Sequence, residues 1–241
     1  MTGSTRRLLF VLDPVNYTIW LAVLLVEFFS LVCLVRKRAF SQHFTLVFYL
    51  CSCLATDIGS YSIIRTSGYS SNAYFYFYFY SQSLLTICLF FVLMNLYSHV
   101  FSDMGVGKYI RAGAMLLLSG TAGISYYMVA ASTNRFFAHF VAELGQNLYF
   151  VGVLLAYLLW GAMAKLRENR TRLVQLVLSM GVYVSLSAGS YALNSLYPNH
   201  GFWQYYFPMT SMWLPISWAY TFTKIPEDAR LTTARVLAAN Q

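Results

Sequence analysis

Long apolar stretches alternate with short polar connectors along the whole chain. Each stretch is about 20 residues or longer, the length that an α-helix needs to cross the hydrocarbon core of a bilayer. Gly, Pro, Asn or charged residues stand at the ends of the stretches and indicate helix termini. The pattern predicts seven helices at residues 14–35, 44–64, 76–100, 110–131, 140–164, 173–196 and 202–222.

The composition is that of a membrane protein. Hydrophobic residues make up 59% of the chain and charged residues 10%, against about 45–50% and about 25% in soluble domains. Seven spans leave only short connectors, so we expect residues 1–241 to form one all-α integral membrane domain, a seven-transmembrane-helix bundle. No H-E-x-x-H sequence or comparable catalytic motif is present, and we expect no enzymatic activity.

The distribution of basic residues predicts an orientation. Twelve of the 16 Lys and Arg residues lie in the first, third and fifth connectors and in the C-terminal tail. The positive-inside rule then places the N-terminus outside and the C-terminus in the cytoplasm. The net charge of +8 is concentrated beside membrane ends, where anionic headgroups explain it, so we expect the lipid bilayer and not nucleic acid as the partner.

Ionisable side chains inside membrane spans are costly and therefore mark candidate functional sites. Counting residues along straight helices puts Glu27 in the cytoplasmic half of the membrane and Asp57 in the outer half. Asn95, His43 and His99 lie near the inner side with Glu27, and any of the three could pair with it. The candidates for binding a ligand or conducting protons are Glu27, Asp57, Glu143, Arg65, Asn95 and Gln82.

The four histidines fall into two pairs on opposite sides of the predicted membrane. His43 and His99 lie at the inner ends of helices two and three, and His139 and His200 lie near the outer side. Haem iron can take axial ligands from facing helices, so each pair is a candidate haem or metal site. Retinal is not expected, because helix seven has no lysine at its centre.

Two further patterns concern helix packing. Residues 74–80 alternate Tyr and Phe and are predicted to form the outer end of helix three, as an aromatic belt or as a stack on a quinone. Gly181, Ser185 and Gly189 follow each other at steps of four residues and predict a helix seam, since small residues let helices approach closely in lipid.

The aromatic start of helix three, the sequence at residues 95–101, the basic fifth connector and the seven-span layout together resemble a group of uncharacterised bacterial inner-membrane proteins. The resemblance implies the cytoplasmic (inner) membrane of a bacterium. It implies no particular activity.

These features predict a non-catalytic, multi-pass accessory or sensory subunit. Such a subunit would bind a lipophilic ligand, another membrane protein or a second copy of itself. One alternative is a small proton-coupled transporter that uses Glu27 and Asp57. A second alternative is a membrane redox protein with haem or quinone. Transport is favoured if both carboxylates face one water-accessible cavity.

Overall fold

The computed structural model describes residues 14–36, 43–68, 71–129, 136–167, 170–197, 203–226 and 229. These ranges form α-helices and contain no β-strand. The helices are α1 (Pro14–Arg36), α2 (Phe44–Ser67), α3 (Asn72–Val100), α4 (Gly107–Val129), α5 (Phe136–Leu166), α6 (Thr171–Leu196) and α7 (Trp203–Lys224). A short 3₁₀ turn, Ser102–Met104, follows α3.

Six helices, α1 to α6, are long and apolar enough to cross a membrane, which is the pattern of a multi-pass membrane protein. The seventh helix, α7, is 22 residues long but carries Pro208, Pro215 and several hydroxyl side chains. It packs between α1 and α6 as one helix of the bundle. The alternating aromatic residues are helical, as predicted, and α3 starts four residues earlier than expected because Ser71 caps it by accepting a hydrogen bond from the Tyr74 amide.

Six of the helices form a closed ring. In order around the ring these are α1, α2, α3, α5, α6 and α7, and α7 packs against α1 to close it. Helix α4 lies outside the ring against α5 and α3, and most of its side chains are exposed. Asn147 of α5 holds it by donating a hydrogen bond of 2.9 Å to the Ser125 hydroxyl.

The two ends of the bundle differ in packing. We call the end at which α1, α3, α5 and α7 begin the N-terminal side, and the opposite end the C-terminal side. The C-terminal side holds a dense apolar core, in which Leu34, Leu50, Leu96, Met180 and Trp218 are fully buried. This core fills the interior of the ring at that end.

Polar contacts of two arginines reinforce the C-terminal side. Arg170 donates a hydrogen bond of 3.0 Å to the backbone carbonyl of His99 and so joins the start of α6 to the end of α3. Arg172 donates two hydrogen bonds, of 3.2 and 2.9 Å, to the carbonyl of Ile225, and its guanidinium lies 5.3 Å from the centre of the Phe222 ring. The C-terminal side is therefore closed by both apolar packing and hydrogen bonds.

The predicted seam on α6 is close-packed at one of its glycines. The indole of Trp160 on α5 lies over Gly181, where an added Cβ would be 2.7 Å from the ring atom Cε2 and closer still to Cζ2. The same indole donates a hydrogen bond of 3.2 Å to the Val177 carbonyl. Gly189 is exposed, and a Cβ added there would meet no atom of the described residues within 4 Å. The seam prediction is therefore right at Gly181 and wrong at Gly189.

Candidate ligand cavity

A cavity of about 520 Å³ lies inside the ring, mostly towards the N-terminal side. Its volume is in the range of sites that enclose drug-sized molecules. Each of the six ring helices contributes side chains to its wall, and α4 contributes none of the lining residues that the structure describes. The cavity is therefore a property of the ring as a whole.

Two carboxylates predicted from the sequence face this cavity. Glu27 of α1 and Asp57 of α2 both line it, although counting residues along straight helices put them in opposite halves of the membrane. Measured from the C-terminal side of the bundle, their positions differ by about 6 Å of helix rise. That difference is small enough for two flexible side chains to reach one cavity from the two predicted halves of the membrane.

The carboxylate of Glu27 is almost completely buried. The residue is only 5% exposed, and its Oε2 atom has no hydrogen-bond partner among the described residues. A buried acidic group normally has its oxygens satisfied, because an unpaired charge in a low-dielectric interior costs several kcal/mol. Asn95 does not line the cavity, and the predicted pairing of Asn95 with Glu27 is not formed at this oxygen.

The remaining candidates divide between the cavity and other places. Gln82 lines the cavity, together with the amides of Gln146 and Asn194. Glu143 is half-buried on α5 but is not among the lining residues, and Arg65 is exposed near the end of α2. The cavity thus brings together three of the six predicted polar residues.

The predicted pair of His43 and His99 does not form an open site. The rings of His43 and His99 are in direct contact, with their centres 5.2 Å apart, and Phe222 lies 5.5 Å from His43. A porphyrin does not fit between rings that touch each other. His139 is exposed, and His200 lies outside the described residues. Across the described ranges, no three His, Cys, Asp or Glu side chains are grouped closely enough to hold a metal ion.

Hydroxyl groups make much of the cavity wall an acceptor surface. Five lining hydroxyls donate their hydrogen to a backbone carbonyl, which leaves their lone pairs as acceptors. They belong to Ser83, Thr86, Ser190, Thr210 and Ser211. Pro215 also lines the cavity, and because proline has no amide hydrogen, the Ser211 carbonyl receives no hydrogen bond from residue 215 of α7.

Aromatic rings form a continuous wall across three helices. Phe207 of α7 lies 6.0 Å from Tyr191 of α6, Tyr191 lies 5.5 Å from Tyr149 of α5, and Tyr149 lies 6.4 Å from Tyr183, measured between ring centres. All four line the cavity. On the other side of the ring, Trp20 contributes an indole to the wall.

Sequence reasoning missed the contribution of α6, although the signal is present. Tyr183, Ser187, Ser190, Tyr191 and Asn194 follow a helical period and line the cavity. A polar stripe of this kind on an apolar helix predicts a face turned towards polar surroundings. The contribution of Tyr149 has no comparable signal, because an isolated tyrosine in a span is common.

Comparison of the chain with protein-family models, with curated protein sequences and with solved structures finds no match in any of the three. A functional interpretation therefore has to be built on the cavity itself.

Proposed function

We propose that the protein is a seven-span transporter of a small solute in the cytoplasmic membrane, with its N-terminus outside and its C-terminus in the cytoplasm. The cavity is the solute site, and Glu27 and Asp57 are the carboxylates that a proton or the solute neutralises. The observation that carries this proposal is that both carboxylates face one cavity, in which Glu27 Oε2 has no partner among the described residues.

Retention of an unpaired buried carboxylate indicates a functional use. Ionisable groups inside membrane spans are costly and commonly mark substrate or proton pathways. A structural role for Glu27 would be served by a partner that satisfies both oxygens. An accessory subunit that only binds a lipophilic ligand has no need of two acidic groups in its binding site, so the geometry favours transport.

The arrangement of the ring also supports transport. Helices α1 to α3 and helices α5 to α7 form two three-helix halves, which meet where α3 packs on α5 and where α7 packs on α1. Many transporters hold their substrate between two such halves, which rock against each other to expose the site to either side. Here the N-terminal side holds the cavity and the C-terminal side is closed, as in an outward-facing state.

The charges near the helix ends support the orientation. Among the described residues, Arg36, Lys108, Arg111, Lys165 and Lys224 lie on the C-terminal side of the bundle. An excess of basic residues at that end is typical of a cytoplasmic surface.

The native Cys53 thiol provides a test of transport, because it lines the cavity. A variant with Cys33, Cys51 and Cys88 replaced by alanine keeps Cys53 as its only thiol. We expect membrane-impermeant methanethiosulfonate reagents to modify Cys53 in both right-side-out and inverted vesicles, and faster from the N-terminal side. The matched control keeps only Cys51, which is exposed on the outer surface of α2 towards lipid, and is expected to stay unmodified.

The same labelling distinguishes transport from the accessory or sensory role. Modification of Cys53 from one side alone would overturn the transport proposal and favour a receptor whose cavity never opens to the other side. No modification from either side would also contradict the proposal. If the triple substitution prevents folding, the reagents can be applied to the chain with all four native cysteines, and mass spectrometry of its peptides measures the modification of Cys53 from each side.

A further inference from the structure

We infer that the cavity selects an organic monocation with an aromatic or similarly flat apolar body, such as a protonated aromatic amine. This inference rests on the proposed function for the role of the cavity, and it names the chemical class of the solute. Three independent properties of the cavity wall point to this class: its charge, its hydrogen-bonding capacity and its aromatic surface.

The charge of the wall is of one sign. Glu27 and Asp57 line the cavity, and none of the lining residues that the structure describes is Lys, Arg or His. The Oε2 atom of Glu27 is buried and has no hydrogen-bond partner among the described residues, so no neighbouring donor compensates its charge. A bound cation would supply the missing countercharge, whereas an anion would add to the repulsion.

The hydrogen-bonding capacity of the wall favours a donor. Five lining hydroxyls already donate to backbone carbonyls, so their lone pairs can accept hydrogen bonds from a ligand. An ammonium group carries only donors and is complementary to such a wall. A quinone carries only acceptors and would have to pair with the amide hydrogens of Gln82, Gln146 and Asn194, so it uses less of this wall than a protonated amine does.

The aromatic wall favours an organic cation over a metal ion. The continuous rings of Phe207, Tyr191, Tyr149 and Tyr183 offer faces and edges to a flat apolar body. Aromatic faces also attract cations within about 6 Å of the ring centre. A cavity of about 520 Å³ is far larger than an inorganic cation requires.

Charge selectivity can be measured with two thiol reagents at Cys53 in the purified, full-length protein. We compare the cationic trimethylammonioethyl methanethiosulfonate with the anionic sulfonatoethyl methanethiosulfonate, each relative to its reaction with a free thiol. We expect a preference of about tenfold or more for the cation, the size of a modest electrostatic interaction. In Glu27→Gln the preference should fall several-fold. Glu143→Gln removes a carboxylate that does not line the cavity and should leave it unchanged.

The aromatic part of the inference is tested by protection of Cys53. We expect benzylammonium to slow the modification at concentrations about tenfold lower than its uncharged isostere, ethylbenzene. Replacement Tyr191→Leu should weaken this protection, and Tyr191→Phe should retain it. Equal protection by the charged and uncharged compounds, or faster reaction with the anionic reagent, would overturn the inference.

Three further outcomes separate this inference from the proposed function. Protection by calcium chloride but not by benzylammonium would replace the organic cation with an inorganic one and so contradict the inference. Absence of cation preference together with two-sided access to Cys53 would overturn the inference and leave transport standing. Cation preference with access from one side alone would overturn transport and leave the inference about the cation standing.

Discussion

The packing of Trp160 on Gly181 gives a sharp prediction about the joint between α5 and α6. In Gly181→Ala the new methyl group would lie 2.7 Å from Cε2 of the indole and closer still to Cζ2. Ordinary contacts begin near 3.4 Å, so the ring must move by about 1 Å or the helices must separate. Either movement also disturbs the hydrogen bond from the indole to the Val177 carbonyl.

The expected cost follows from three contributions. Overpacking of a well-packed interface costs about 1–3 kcal/mol, and the lost hydrogen bond costs about 1 kcal/mol. Alanine in a helix gains about 0.5–1 kcal/mol over glycine, which offsets part of this. The net destabilisation is about 2 kcal/mol, or about 4–8 °C in melting temperature for a chain of this size.

The assay is thermal unfolding of the purified protein in detergent, at one scan rate, because membrane proteins commonly unfold irreversibly. Gly161→Ala is the matched control. Gly161 lies on α5 next to Trp160 in sequence, and a Cβ added there would meet no atom of the described residues within 4 Å. We expect this control to melt at or slightly above the temperature of the unmodified protein.

A double variant shows whether overlap with the Trp160 indole causes the loss of stability in Gly181→Ala. Gly181→Ala combined with Trp160→Leu removes the overlap, so the penalty of the alanine should shrink in that background. If Gly181→Ala melts like Gly161→Ala, or if its penalty is the same with and without the indole, then Trp160 does not pack on α6 as described.

Two other contacts give simpler predictions. Tyr97→Phe removes the hydrogen bond that the phenol donates to the Leu155 carbonyl, which joins α3 to α5. This change should lower the melting temperature by about 2–4 °C. The control is Tyr109→Phe, which should have no effect in the same melting assay because Tyr109 is 79% exposed. Asn147→Leu removes the hydrogen bond that holds α4 through Ser125 and should lower the free energy of unfolding by about 1 kcal/mol. If the double variant Asn147→Leu with Ser125→Ala loses as much melting temperature again, the two side chains do not act as a pair.

Much of the helical layout could be predicted from the sequence, because each span has to present about 20 apolar residues to lipid. The arrangement of the helices could not. In lipid, apolar side chains gain little by facing protein, so the hydrophobic pattern does not show which helices are neighbours. The position of α4 outside the ring, and the different roles of Gly181 and Gly189 on one helix, depend on contacts that sequence spacing does not specify.

The candidate site was predictable in its charges but not in its shape. Glu27 and Asp57 could be named because ionisable groups in membrane spans are rare and costly. Whether they face one cavity stayed open, because depth along a helix does not give the direction or reach of a side chain. Tyr149 and Tyr191 became part of the site only through the contacts between α5, α6 and α7.

The position of α4 has a consequence for the orientation of the two halves. A unit of three helices ends on the opposite side of the membrane from where it begins, so a second unit joined directly to it would be inverted. One additional helix returns the chain to the end of the bundle where it started and makes α1 parallel to α5, α2 to α6 and α3 to α7. Since α4 contributes no described side chain to the cavity, what it adds to the ring is this return, which lets two three-helix halves of the same direction share one interior.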